Sequence, residues 1–282
     1  MPSRRDFLAA SAAAPLATSG LAASALASPA PLAGAAPQLK LGIASYSFRE
    51  FGRNLAIKMT KKLGVSYINI KEFHLPYRAT PEDREKGRKQ FEAAGLTITG
   101  GGTIYLLKDD EEDLKYYFEY AKQCGMPMMV IGSTDKNLAR IEKYVKQYDI
   151  KVALHNHGPE DKYYPKPSDA LKLIKNMDPR VGVCIDIGHT TRSGGDLMAE
   201  IEGAGSRLID MHIKDLKDIR DGKTQVPVGD GSFDIPAIFK QLIKMNYQGA
   251  VMLEYEIEGD DPFLGMAKSF SYMRGVLAGM KG

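Results

Sequence analysis

From Lys40 onward, short apolar runs of strand length alternate with longer segments whose apolar residues recur at helical spacing, and the alternation repeats eight times. The runs Leu41 to Tyr46, Tyr67 to Lys71, Thr97 to Gly101, Pro127 to Ile131, Lys151 to His155, Val181 to Ile187, Leu208 to Ile213 and Ala250 to Tyr255 predict strands. Helices are expected to begin near Leu55, Pro81, Glu111, Lys136, Ser168, Asp196 and Ile235, with a last one from Pro262 to the C-terminus. Thr80 ahead of Pro81 reads as a helix cap, and Ser168 after Pro167 as a second start. Gly95 and Gly125 read as helix stops. Strands separated by helices pair in parallel, and eight such units in this length predict a (β/α)8 TIM barrel over residues 37–282. An open doubly wound sheet would carry a glycine-rich turn after its first strand, where this chain has Ser45-Tyr46-Ser47-Phe48.

Side chains alternate along a strand, so the apolar set of each run marks the face turned to the helices. In the run from Leu208, Ile209, Met211 and Ile213 face outward, which turns Asp210, His212 and Lys214 inward. The same reasoning turns Asp186 inward on the sixth strand, Glu254 and Glu256 on the eighth, His155 and His157 on the fifth, and Asn69 and Lys71 on the second. His155, Asp186, His212 and Glu254 thus fall near the carboxyl ends of four strands, where a barrel assembles its site. Two imidazoles and two carboxylates at matching heights, with no surplus of inward cations, predict a centre for one divalent metal ion. Mixed ligands of this kind suit Mn2+, Zn2+, Co2+ or Fe2+. Lys71 and Lys214 are read either as groups that stabilise a developing oxyanion or move protons, or as structural ion pairs. Gly100-Gly101-Gly102 marks either close approach of a ligand or a tight bend, and Gly229-Asp230-Gly231 is a weak phosphate-loop candidate. Tyr163-Tyr164 in the long fifth loop is a candidate lid.

The first 36 residues change the picture of where the protein works. Arg4-Arg5 precedes an Ala-rich apolar run that ends in Ala25-Leu26-Ala27, the pattern of a twin-arginine export signal with a small-residue cleavage site. Residues 1–36 are therefore expected to be a signal and short linker, and the mature protein to be periplasmic or otherwise exported without stable membrane insertion. The formal charge of +3 falls to about +2 without Arg4, Arg5 and Asp6. So balanced a charge excludes a nucleic-acid partner and an anionic membrane surface as defining ligands. Two cysteines, Cys124 and Cys184, make no disulfide framework.

His155-Asn156-His157-Gly158, Cys184 to His189, Asp210 to Asp215, Val228 to Gly231 and Gly249 to Glu256 resemble the xylose isomerase-like barrels, often labelled sugar phosphate isomerase/epimerase. The resemblance runs from about Leu41 to Met280. It implies that Asp186, His212 and Glu254 are metal ligands and that His189 lies beside the substrate. Much of that family carries a glutamate on the fifth strand that also acts as an acid/base group, where this chain has His155. The expectation is a metal-dependent isomerase or epimerase acting on an unphosphorylated sugar or keto-sugar through an enediolate. Its proton transfers would involve Glu254, Lys214, His189, His157 and Lys71. With the glutamate replaced, a lyase acting on 3-keto-glycosides by β-elimination is the alternative, and a non-catalytic sugar-binding barrel a third reading. An apurinic endonuclease is disfavoured by the near-neutral charge. The sequence leaves open a homo-oligomer or a partner subunit.

Overall fold

The computed structural model describes residues 39–280, and the expected export segment lies outside them. Eight parallel strands close into a barrel: β1 (Lys40–Ala44), β2 (Tyr67–Ile70), β3 (Thr97–Leu106), β4 (Met128–Ser133), β5 (Lys151–His155), β6 (Val181–Asp186), β7 (Leu208–Ile213) and β8 (Ala250–Leu253). Each pairs with its sequence neighbours, and β1 pairs with β8 to close the ring. Nine helices surround them among the described residues: α1 (Arg53–Lys62), α2 (Pro81–Ala93), α3 (Glu111–Gln123), α4 (Leu138–Tyr148), α5 (Pro167–Ile174), α6 (Ile187–Arg192), α7 (Leu197–Ala204), α8 (Ile235–Lys244) and α9 (Phe263–Gly279). No described helix is long and apolar enough to cross a membrane.

The pleat explains the two cores. Val152, Leu154, Val183, Ile185, Met211, Ile213, Val251 and Leu253 pack in the layer between sheet and helices. The alternate positions Met128, Val130, Ala153 and Cys184 form a separate plug inside the barrel, and Ala44, Ala250 and Met252 form another. Apolar side chains therefore fill the interior, and the polar inward residues collect toward the carboxyl end.

Helix starts follow the expected caps at Thr80, whose hydroxyl accepts from Asp83 N, while Asp110, Asp196 and Asp234 cap α3, α7 and α8. Gly95 and Gly125 end their helices at φ +75° and +68°. Ser168 is not a cap: α5 begins at Pro167, and the amide and hydroxyl of Ser168 both donate to the Glu200 carboxylate. A second correction concerns Ile209. The β6–β7 register slips between Val183/Leu208 and Cys184/Asp210, so one extra residue enters β7 and Ile209 packs on the interior plug instead of the helices. The bulge leaves Asp210 and His212 inward.

Candidate metal centre

His155 ends β5, Asp186 ends β6, His212 lies next to last in β7, and Glu254 immediately follows β8. All four are buried, and one ligand atom from each lies within 4.8 Å of every other. His155 Nε2 is 3.0 Å from His212 Nδ1, which is 3.2 Å from Glu254 Oε2. Donors held ~2.1 Å from one ion at right angles lie about 3 Å apart, so these spacings match the edges a coordination polyhedron would need. His155, Cys184 and His212 make a second such grouping, but burial raises the Cys184 thiol well above its ordinary range. That grouping offers one ligand fewer and no carboxylate, so the His-Asp-His-Glu set fits a metal better.

Two ammonium groups enter the same cluster, against the expectation of few inward cations. Lys214 Nζ lies 3.0 Å from Asp186 Oδ2, 3.2 Å from Glu254 Oε2 and 2.7 Å from Glu256 Oε2. The Asp186 contact is close but outside hydrogen-bond geometry, so Oδ2 keeps a free lone pair. Lys71 Nζ lies 3.3 Å from Glu254 Oε1. Burial alone would raise Glu254, but His212, Lys71 and Lys214 outweigh it and hold the carboxyl well below the usual range. Burial likewise opposes ionisation of Asp186, and the Lys214 ammonium overcomes it. Burial disfavours charge on Lys214 too, yet Asp186, Glu256 and Glu254 keep it protonated far above its ordinary value. Both lysines thus make ion pairs with carboxylates of the cluster. Glu254, so strongly stabilised as an anion, is a weak base, which counts against its predicted role in proton removal.

The remaining histidines surround the cluster with different partners. Burial, with His157 and His212 alongside, holds His155 neutral. Burial and His189 push His157 down to about 4. His155 Nδ1 is 3.4 Å from His157 Nδ1, and His157 Nε2 is 3.1 Å from the Tyr105 hydroxyl. With Nε2 of His155 turned to the cluster, its proton sits on Nδ1 and faces His157, which therefore supports His155 from outside. His189 is placed by α6, whose first turn is capped by Asp186: Oδ1 accepts from His189 N at 2.8 Å. That cap explains why β6 stops at Asp186 where the apolar pattern predicted continuation to Ile187. Arg192, one turn along α6, donates to His189 Nδ1 at 2.9 Å and pairs with Glu160. Arginine has no acceptor, so Nδ1 takes this bond as the acceptor and Nε2 is left to carry the ring proton. Gly158 makes this clamp possible at φ +86°: a Cβ there would lie 3.1 Å from Glu160, 3.2 Å from Arg192 and 3.3 Å from His189. Arg192 was not singled out by the sequence, although its i+3 spacing from His189 on a short helix is the signal that marks it.

A cavity of about 350 Å³ opens above the cluster, lined by the polar groups of Lys71, His155, His157, His189, Glu254 and Glu256 and by the aromatic rings of Tyr46, Phe73, Tyr77 and Tyr105. All of the sequence-predicted site residues meet here or directly beneath. Tyr164 is buried, with its hydroxyl 3.2 Å from Ser133, while Tyr163 is half-exposed; neither lines the cavity. The phosphate-loop candidate fails for a physical reason: Gly229 N and Gly231 N both donate to the buried Asp215 carboxylate, an internal anion that takes the place a phosphate would need.

The sequence matches the xylose isomerase-like TIM barrel family over residues 57–276. Inosose dehydratase of Lactiplantibacillus plantarum is 30% identical over 43% of this chain and 45% of its own length. The rhizopine catabolism protein MocC of Rhizobium meliloti is 26% identical over 43% of this chain and 41% of its own. The chain spans about half the length of the curated relatives it matches. Among solved structures, the fold is shared with the IOLI protein with a zinc atom, at 18% identity and a TM-score of 0.72 over 86% of this chain and 99% of that one. It is shared also with 3-keto-D-glucoside 4-epimerase, YcjR, from E. coli, at 18% identity and a TM-score of 0.68 over 84% of this chain and 100% of that one. By closed parallel barrel and by sequence match alike, the chain belongs to the xylose isomerase-like TIM barrel family.

Proposed function

We propose that this protein is a metal-dependent enzyme that removes a proton next to the carbonyl of an unphosphorylated keto-sugar or keto-cyclitol and expels a β-hydroxyl or β-alkoxy group. His155, Asp186, His212 and Glu254 would hold one divalent ion, which when bound would polarise the substrate carbonyl and acidify the adjacent C–H bond. The observation that carries the elimination branch is the commitment of acid/base groups. Glu254 is tied to His212, Lys71 and Lys214, and His157 is turned to His155 and Tyr105. Epimerisation by two bases needs a free group on each face of the substrate, and His155 stands where much of the family has the second carboxylate. Glu256 lines the cavity, is partly exposed, and has only Oε2 engaged by Lys214, so it is the proton acceptor in this scheme. Lys214, kept protonated, holds Glu256 in place, and His189 offers its Nε2–H to a substrate oxygen. The inosose dehydratases among the relatives agree with this branch.

The reading is tested with the Mn2+- or Zn2+-loaded protein and a panel of inososes, ketoses and 3-keto-glycosides in D2O. Expected is loss of water or aglycone with an enone product, abolished in Glu256→Gln and His212→Ala. Deuterium entering recovered substrate without elimination would favour the epimerase reading, for which the fold shared with the E. coli 3-keto-D-glucoside 4-epimerase speaks. No exchange and no elimination across the panel would overturn both.

A further inference from the structure

A second cavity of about 260 Å³ lies on the other side of His189, and its charge is opposite to that of the first. His189 and Glu256 line both spaces, so the two adjoin at these side chains. The ionisable groups of the main cavity, histidines aside, are one lysine, Lys71, against Glu72, Glu254 and Glu256. In the second, the lining cations are Arg192, Lys214, Arg220 and Lys223 and the lining acids Asp221 and Glu256; Arg192 is paired with Glu160, and Lys214 with Asp186, Glu254 and Glu256. Both acids are already engaged: Asp221 Oδ1 accepts from Lys223 N at 2.9 Å, and Glu256 Oε2 takes Lys214 Nζ at 2.7 Å. Arg220 and Lys223 have no carboxylate within 4.0 Å among the described residues, although both lie on the segment between β7 and α8 that crosses the mouth of the barrel.

The wall is built on its inner side, where Arg192 and Lys214 are held in place, while Arg220 and Lys223 are exposed. Arg192 is fixed by His189 on one side and Glu160 on the other. The turn at Gly222 lies on its guanidinium, since a Cβ there would stand 3.2 Å from Arg192 Cδ and Nε. On the inner side the Lys214 stem runs over Gly188, where a Cβ would be 2.9 Å from Lys214 Cδ. A neutral sugar gains nothing from Arg220 and Lys223, the lining cations without a carboxylate partner, whereas an oxyanion beside this guanidinium and ammonium gains charge-assisted hydrogen bonds.

We infer that this second cavity is a subsite for an anionic substituent of the substrate, and that the enzyme acts on acidic sugars, those carrying a carboxylate away from the reacting carbonyl. The inference rests on the proposed function for the placement of the carbonyl, but its test does not require turnover. Binding of D-glucose, D-glucuronate and D-glucose 6-phosphate to the Zn2+-loaded full chain is measured by calorimetry at low and at physiological salt. D-glucuronate should bind about tenfold tighter than D-glucose, as two charge-assisted contacts allow, and added salt should narrow the gap. Arg220→Ala/Lys223→Ala, which alters only exposed side chains, should remove the difference between the two sugars while leaving the melting temperature in place. A larger advantage for the phosphate than for the carboxylate would assign the subsite to phosphoryl groups and overturn the acidic-sugar class. Equal binding of D-glucose and D-glucuronate, an advantage that survives the double substitution, or no binding of any probe would each overturn the subsite. Failure of the elimination assay with a preserved preference for D-glucuronate would instead count against the reaction alone.

Discussion

Lys214 places an ammonium ion against the two carboxylates, Asp186 and Glu254, that a divalent cation would also need. The two cations compete for one well of negative potential, so removing the lysine should favour the metal. Lys214→Met is expected to tighten Zn2+ or Mn2+ binding about tenfold, measured by competition with a chelator. The metal-free variant should lose roughly 3 kcal/mol in urea unfolding, because Asp186 and Glu256 are left without an ammonium and Glu254 keeps only Lys71. His74 shows the opposite case of a histidine outside the chemistry. Its Nδ1 meets the Ser45 hydroxyl at 2.9 Å and its Nε2 meets the carbonyls of Phe48 and Phe51 at 3.2 and 3.1 Å. Burial lowers its proton affinity below the ordinary histidine value. The unfolded chain therefore takes up a proton near pH 6.5 while the folded ring resists, so this contribution is full above that pH and is lost as pH falls toward the lowered value. His74→Gln should reduce the drop in unfolding free energy between pH 7.5 and 5.5. At this scale the convergence of the four candidate ligands was legible because pleat alternation exposes inward polar positions. The lysine contacts were not, since a four-carbon stem can carry its charge to any of several carboxylates.

Among the elements, β3 departs furthest from its apolar pattern. It continues from the predicted end at Gly101 to Leu106, through a stretch that Gly102 makes possible. Gly102 sits at φ +115°, and a Cβ there would come within 2.1 Å of the Val130 carbonyl oxygen. The glycine run thus serves close approach of two strands, not of a ligand. Gly102→Ala combines a forbidden backbone conformation with a clash against fixed backbone, and should cost about 2–4 kcal/mol in denaturant unfolding. The β7 bulge and the start of α6 escaped the sequence for related reasons. A bulge inserts one residue without altering composition, and the cap that starts α6 is Asp186, a residue already claimed by the strand pattern. The long segment between β7 and α8 also folds into a short antiparallel hairpin, Asp215–Leu216 with Gln225–Val226, too brief to leave a periodic signal.

For the whole molecule, the barrel order and its eightfold count were legible because each strand and helix carries its own period and caps. Cys124 and Cys184 are both free and buried, so stability rests on packing and, when loaded, on the ion. An ion held by β5, β6, β7 and β8 together binds only the folded chain. At about 100 times its dissociation constant it should raise the melting temperature by roughly 5–10 °C, an increment removed by chelator and absent in Glu254→Ala. Reductant should leave the melting temperature unchanged. The closure of β8 between β7 and β1 also sets a clock. During synthesis His155, Asp186 and His212 emerge well before Glu254, and the strand that brings Glu254 into place finds its second partner only at the far N-terminal edge of the barrel. The last candidate ligand is therefore in place only once β8 has paired, so uptake of an ion would report that the ring is shut.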